Sequence, residues 1–147
     1  MSEETHNVNW RLMIAFNQSN RAINRRTRAA GLTPGQPKIL QYLTGDDGCT
    51  QKAIGDGCAI DKSTVTGLLA RMEADGLIRR EPCAGSRREL RVFLTDAGRE
   101  GARRVLANSD DVDEVALADL SAAERAELAD MLDRLAQNLA RDNGAAR

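Results

Sequence analysis

The hydrophobic positions of this chain recur mostly at helical spacing. Val8, Leu12, Phe16 and Ile23 fall near one face over residues 8–29, and Trp10, Met13 and Ile14 widen that face. A helix apolar around so much of its circumference needs more than one neighbour. Arg21, Arg25, Arg26 and Arg28 load its last turns with cations, and Gly31 suits its stop. Thr33-Pro34-Gly35-Gln36 reads as a capping box, with Thr33 at N-cap, Pro34 at N1 and Gln36 at N3, opening a helix with Ile39, Leu40 and Leu43 inward. Thr50 caps a short helix to about Gly57, with Ile54 and Cys58 inward. Asp61 caps a helix from Lys62 to about Asp75, stopped by Gly76, in which Val65, Leu68, Leu69 and Met72 give the clearest helical period in the chain.

After Gly76 the period changes. Residues 77–80 and 90–94 read as two short strands, with Leu90, Val92 and Leu94 on one face. The turn between them, Pro82 to Ser86, contains Gly85 and leaves Arg87 and Arg88 at the hairpin tip. Thr95 caps a long helix over about 96–118, striped by Ala102, Val105 or Leu106, Ser109, Val112 and Ala116. Ser121 and Glu124 form a second capping box. It opens a final helix whose Leu128, Leu132, Leu135 and Leu139 approach a coiled-coil seam. The predicted fold is mostly α with a small β-hairpin wing: a winged helix-turn-helix over residues 32–98, flanked by dimerisation helices in 1–31 and 99–147. Val8 and Leu12 would join the four leucines in that interface, because mutual burial between two copies is the simplest way to cover such apolar helices.

Composition refines this picture. The 147 residues carry a net charge of −1, which by itself gives no reason to expect a nucleic-acid partner. The charge is unevenly placed, however: residues 60–104 carry net +3 and residues 105–147 net −6. Aromatics make up only 3%, so the core must be aliphatic. Cys49, Cys58 and Cys83 show no Cys-x-x-Cys spacing, and the single His6 lies near the N-terminus, so no metal site or cofactor is expected. The opening residues lack a signal-peptide pattern, and no apolar run approaches the ~20 residues of a membrane span, which predicts a cytoplasmic protein with no membrane partner. No Gly-rich phosphate loop or positioned nucleophile–base pair is present, so no enzyme is expected.

The outward face of the 62–75 helix is small, polar or cationic: Lys62, Ser63, Thr66, Gly67, Ala70 and Arg71. Such a surface can approach base edges in a major groove ~12 Å wide. Ser63 and Thr66 offer hydrogen bonds, the methyls of Thr64 and Thr66 suit thymine, and Lys62 with the helix N-terminus suits a phosphate. The hairpin arginines suit a narrow minor groove. For Arg79, Arg80 and Arg91, protection of a strand edge by charge is at least as good an explanation.

Several motifs then fall into one order: Leu32-Thr33-Pro34-Gly35-Gln36, Thr50-Gln51-Lys52, Asp61-Lys62-Ser63-Thr64-Val65-Thr66, Met72 to Arg80 with Gly76-Leu77-Ile78-Arg79-Arg80, and Leu94-Thr95-Asp96-Ala97-Gly98. This series resembles the MarR family (multiple antibiotic resistance regulator) of bacterial transcription factors over about residues 8–141. The resemblance implies a winged-helix homodimer that binds pseudo-palindromic operator DNA, usually as a repressor. The 62–75 helix would enter the major groove, placing Lys62, Ser63, Thr64, Thr66, Gly67 and Arg71 at DNA together with Arg87 and Arg88 of the wing. It also implies release by a small aromatic or anionic effector between the two regions, for which Trp10, Phe16, Gln36 and Tyr42 are the candidate contacts.

The chain departs from the family pattern in three places. Ser86 stands where the wing usually carries an Asp before its Arg. Gly67 replaces a larger polar residue of the recognition helix. The reactive N-terminal cysteine of the family's peroxide sensors is missing. Cys58 reads as core packing. Cys49, just before a helix N-terminus, and Cys83, among arginines, keep open an alternative reading as a redox-sensing regulator. A second alternative is a winged helix used for protein–protein contact.

Overall fold

The computed structural model describes residues 5–145. Asn7 opens helix α1 (Val8–Arg28) by accepting the Trp10 N–H on its side chain at 3.0 Å. Helices α2 (Gln36–Gly45), α3 (Gln51–Cys58) and α4 (Lys62–Ala74) follow, with a two-residue strand β1 (Cys49–Thr50) between α2 and α3. Strands β2 (Ile78–Cys83) and β3 (Ser86–Leu94) make an antiparallel hairpin; helices α5 (Asp96–Ala116) and α6 (Ala122–Ala145) complete the chain. The architecture is the expected helical one with a small antiparallel sheet, but the sheet has three strands, in the order β1-β3-β2.

The local starts act through short-range bonds, as the sequence predicts. Thr50 Oγ1 accepts the Ala53 N–H at 3.1 Å, and Asp61 accepts the Thr64 N–H at 2.9 Å. Ser121 and Glu124 make both halves of a capping box, at 2.8 and 3.2 Å. The box expected at Thr33 is corrected. Helix α2 begins at Gln36 itself, behind Gly35 at φ 91°, and Thr33 is not its N-cap. Gln36 Oε1 still reaches back to the Thr33 N–H at 3.1 Å. Gly35 takes φ 91°, outside the helical region, so no helical turn runs from Thr33 through it; a Cβ there would also lie 2.9 Å from Leu68 Cδ1 of α4.

The core is aliphatic. Ile39, Leu40, Leu43, Ile54, Leu69 and Met72 are fully buried, joined by Val65, Ile78, Val92 and Val105. Helix α5 closes on this core through a glycine: a Cβ on Gly98 would collide with the Leu77 carbonyl. That carbonyl also accepts the Thr95 N–H at 3.1 Å.

The hairpin is longer and its turn tighter than the sequence suggests. Ladder pairing runs to Cys83 and Ser86, leaving only Ala84 and Gly85 (φ 83°) between the strands, with an irregularity in register at Pro82/Cys83. Arg87 and Arg88 therefore lie in β3 just beyond the turn, not at its tip. Strand β1 pairs Cys49 with Val92 and Thr50 with Arg91.

Two compact units divide the chain. One runs through Val112 and holds α1, the α2–α3–α4 bundle, the sheet and most of α5. The other, from Asp113 on, holds the last turn of α5, a turn and α6. In the second unit Arg125 closes the turn by donating to the carbonyls of Leu117 and Leu120 at 2.8 and 3.1 Å.

Candidate nucleic-acid interface

Helix α4 buries Val65, Leu69 and Met72 and leaves Lys62, Ser63, Thr64, Thr66, Gly67, Ala70 and Arg71 exposed. The expected inward and outward faces are thus both observed. Leu68, half-buried, packs against the core.

The polar groups of the exposed face are more organised than the sequence revealed. Asp61 Oδ1 accepts the Ser63 hydroxyl at 2.7 Å, and Asp61 Oδ2 accepts the Thr64 hydroxyl at 3.0 Å. Thr66 Oγ1 donates to the Lys62 carbonyl at 2.8 Å. The Thr64 N–H and these two hydroxyls hold the Asp61 carboxyl at about 2, well below its usual range. The N-terminus of α4 therefore already holds a carboxylate, with the Lys62 side chain exposed beside it. Gly67 faces open space: nothing lies within 4 Å of where its Cβ would be. At the far end Arg71 Nε bonds both Asp75 carboxylate oxygens at 3.2 Å.

In the wing, Ser86 Oγ accepts the N–H groups of Arg88 and Glu89, both at 3.3 Å. The hydroxyl thus shapes the start of β3 in place of the acid usual there. Arg88 is exposed; the side chain of Arg87 lies outside the described residues. The other three arginines have structural partners. Arg79 pairs with Glu81 and lies over the Phe93 ring at 4.5 Å. Arg91 donates to the Gly48 carbonyl at 3.1 Å. Arg80 donates to Gln51 Oε1 of α3 and to Glu73 Oε1 of α4, each at 3.0 Å. This clamp of α3, α4 and β2 escaped sequence reasoning, because its partners are 29 and 7 residues away.

The four residues singled out for an effector fall into two groups. Trp10 and Phe16 are exposed on α1, Trp10 against the His6 ring at 5.3 Å and Phe16 beneath Lys38 Nζ at 5.7 Å. Gln36 is fully buried and bonded at both ends, to the Thr33 N–H and, at 3.5 Å, to Asp75. Tyr42 packs on Gly57 and donates to Asp46 Oδ2 at 3.3 Å.

Two of the three cysteines are buried. Burial, with the Asp46 charge second, pushes the Cys49 thiol up to about 11, and burial raises Cys58 as well. Cys49 belongs to β1, paired with Val92 of β3 and with Asp46 and Asp47 beside it, so burial and acids outweigh the neighbouring helix N-terminus. Among the described residues no group of three or more His, Cys, Asp or Glu could hold a metal ion, and no helix is long and apolar enough to cross a membrane.

A bundle of three helices whose third presents an open polar face, followed by an arginine-bearing hairpin, is a winged helix-turn-helix. Residues 30–89 match the family model described as "MarR family". Transcriptional regulator HosA of Escherichia coli O127:H6 is 35% identical over 94 residues, 64% of this chain and 70% of HosA. A MarR family transcriptional regulator from Listeria monocytogenes, complexed with 26mer DNA, superposes with a TM-score of 0.88 at 21% identity, over 92% of this chain and 91% of that one. The PcaV transcriptional regulator of Streptomyces coelicolor, in complex with its natural ligand, gives 0.82 at 23% identity, over 93% and 96%. The chain belongs to the MarR family: it is a transcriptional regulator, not an enzyme.

Proposed function

We propose that the protein is a cytoplasmic, sequence-specific, double-stranded DNA-binding repressor that works as a homodimer on a pseudo-palindromic operator. The observation that carries this reading is the α4 face. Seven consecutive-turn residues from Lys62 to Arg71 are exposed while Val65, Leu69 and Met72 lock the opposite side into the core. Residues 32–98 form the reading head, with Lys62, Ser63, Thr64, Thr66, Gly67 and Arg71 at the major groove and Arg87 and Arg88 beside the minor groove. Phosphate contacts supply affinity, and the 62–71 surface with the wing supplies position and sequence. The Listeria regulator's complex with DNA supports a fold suited to this docking.

Dimerisation is assigned to residues 1–31 and 99–147. Val8, Leu128, Leu132 and Leu139 are exposed in the single chain, and Leu12 and Leu135 are half-buried. Such a set of large apolar side chains is what a second copy would cover. A small aromatic or anionic effector is proposed to release DNA by favouring a dimer whose recognition helices no longer match successive grooves. Trp10 and Phe16 are the aromatic surfaces open to it, since Gln36 and Tyr42 already have partners within the fold. The ligand complex of PcaV supports a scaffold that accommodates a small molecule.

A salt titration on random-sequence duplex tests the core of this reading. Binding at low salt that weakens steeply as salt rises is the expected result. A chain that binds no duplex even at low salt would be a protein-interaction module instead.

A further inference from the structure

Three hydroxyls stand on the N-terminal half of α4, at Ser63, Thr64 and Thr66, and each has its proton committed within the protein. Ser63 and Thr64 donate to the two oxygens of Asp61, and Thr66 donates to the Lys62 carbonyl. A hydroxyl has one hydrogen and two lone pairs, so what each still offers an approaching surface is an acceptor. The bonds to Asp61 are charge-assisted and therefore the stronger kind. Asp61 stays ionised at neutral pH, its carboxyl drawn down to about 2, so it cannot exchange roles and become the donor. Both Ser63 and Thr66 are exposed, and Gly67, one turn beyond Ser63, puts no side chain in front of them.

We infer that Ser63 and Thr66 read the major groove as hydrogen-bond acceptors, taking the exocyclic amino groups of adenine or cytosine. In that groove adenine N6 and cytosine N4 are the donors, whereas guanine O6 and N7, adenine N7 and thymine O4 are acceptors. The face is thus divided by polarity. Lys62 and Arg71 carry only donors and go to phosphate or guanine, while the hydroxyls, fixed by Asp61 and the helix backbone, go to amino groups. Thr64, engaged with Asp61 through both its N–H and its hydroxyl, organises the cap. The inference rests on the DNA-binding reading given above.

Every base pair shows both a donor and an acceptor in the major groove, so sequence preference alone does not reveal polarity; deleting single atoms does. A half-site is first selected from random duplexes with the full-length chain. Adenine is then replaced by purine, or cytosine by 2-pyrimidinone, position by position, to delete the amino group. In parallel, 7-deazaadenine and 7-deazaguanine delete the N7 acceptor. Loss of one hydrogen bond should weaken wild-type binding about three- to tenfold at an amino-deleted position. Ser63→Ala or Thr66→Val should abolish that particular loss, whereas any N7 loss should persist in both variants. The cycle cancels the weaker base pairing of the analogues, because both protein forms meet the same duplex. Asp61→Asn, with its amide oxygen still on the Thr64 N–H and the Ser63 hydroxyl and its amide nitrogen turned to Thr64, leaves Ser63 and Thr66 as acceptors and should preserve the sensitivity to amino deletion. An N7 loss that vanishes in Ser63→Ala or Thr66→Val overturns the inference. So does a wild type that binds the selected duplex but ignores every amino deletion. A chain that binds no duplex at all overturns the DNA-binding reading itself, and this inference with it.

Discussion

Arg80, at the base of the wing, holds Glu73 of α4 by two separate donors. Its backbone N–H meets Glu73 Oε2 at 3.1 Å, and its Nη2 meets Glu73 Oε1 at 3.0 Å. With Nη1 on Gln51, one side chain fastens the wing to both helices of the helix-turn-helix. The Arg80 Nε is buried without a partner, so the grip is tight but not fully satisfied. Arg80→Met should remove all side-chain bonds while keeping much of the apolar stem. The expected loss is about 1–2 kcal/mol, limited because Glu73 is partly solvated. Urea unfolding of Arg80→Met, Glu73→Gln and the double variant measures the coupling; strict additivity would show that the pair is independent.

Acid should weaken the cap of α4 in a defined window. The folded Asp61 carboxyl lies at about 2, below its ordinary value of 3.8. A group depressed on folding contributes stability that is full above the unfolded value and is lost as pH falls towards the folded one. Thermal melting between about pH 4 and pH 2 should therefore fall less steeply in Asp61→Asn than in the wild type. Glu73, lowered by its bond to Arg80, adds to the acid slope in the same sense. Equal slopes in the wild type and Asp61→Asn would contradict the assignment.

Two glycines should respond oppositely to the same methyl group. Gly67 sits within α4 with open space around it, so Gly67→Ala should stabilise by about 0.5–1 kcal/mol through helix propensity. Gly98 meets the Leu77 carbonyl, and backbone cannot swing aside as a side chain can. Gly98→Ala should cost on the order of 3 kcal/mol or more and lower Tm sharply. Calorimetry on the pair is sufficient; a stable Gly98→Ala would mean that α5 is free to shift.

Arg88 and Leu132 should separate DNA contact from assembly. Arg88→Ala should weaken operator binding with Tm unchanged, since the side chain is exposed. Removing one cation from the DNA surface should also make the salt dependence of binding shallower. Leu132→Asp should yield monomers in sedimentation, because a charge would enter an apolar seam. An intact Leu132→Asp dimer would place the interface elsewhere.

Features that depend on neighbours three or four residues apart were legible in the amino-acid sequence. The caps at Thr50, Asp61 and Ser121/Glu124, the inward triad of α4 and the hairpin all follow from local hydrogen bonding and from side-chain period. The exposed face of α4 was legible for the same reason, since an amphipathic helix with a buried stripe necessarily turns its other side outward.

Tertiary structure decided whatever depends on partners distant in sequence. The positive φ of Gly35, lying against Leu68 of α4, puts the start of α2 at Gln36 rather than just after Thr33. Only pairing with β3 makes Cys49 a buried strand residue, and burial raises its thiol where a helix N-terminus alone would have lowered it. For Arg80 and Arg91 the sequence left both DNA contact and strand-edge protection open, yet Gln51, Glu73 and the Gly48 carbonyl claim them. The sequence by itself determined which elements form and which faces are apolar, because those are fixed by bonds and periods within one turn. The three-dimensional contacts determined which polar groups remain available for binding, because a hydrogen bond already made inside the fold is no longer offered outside it.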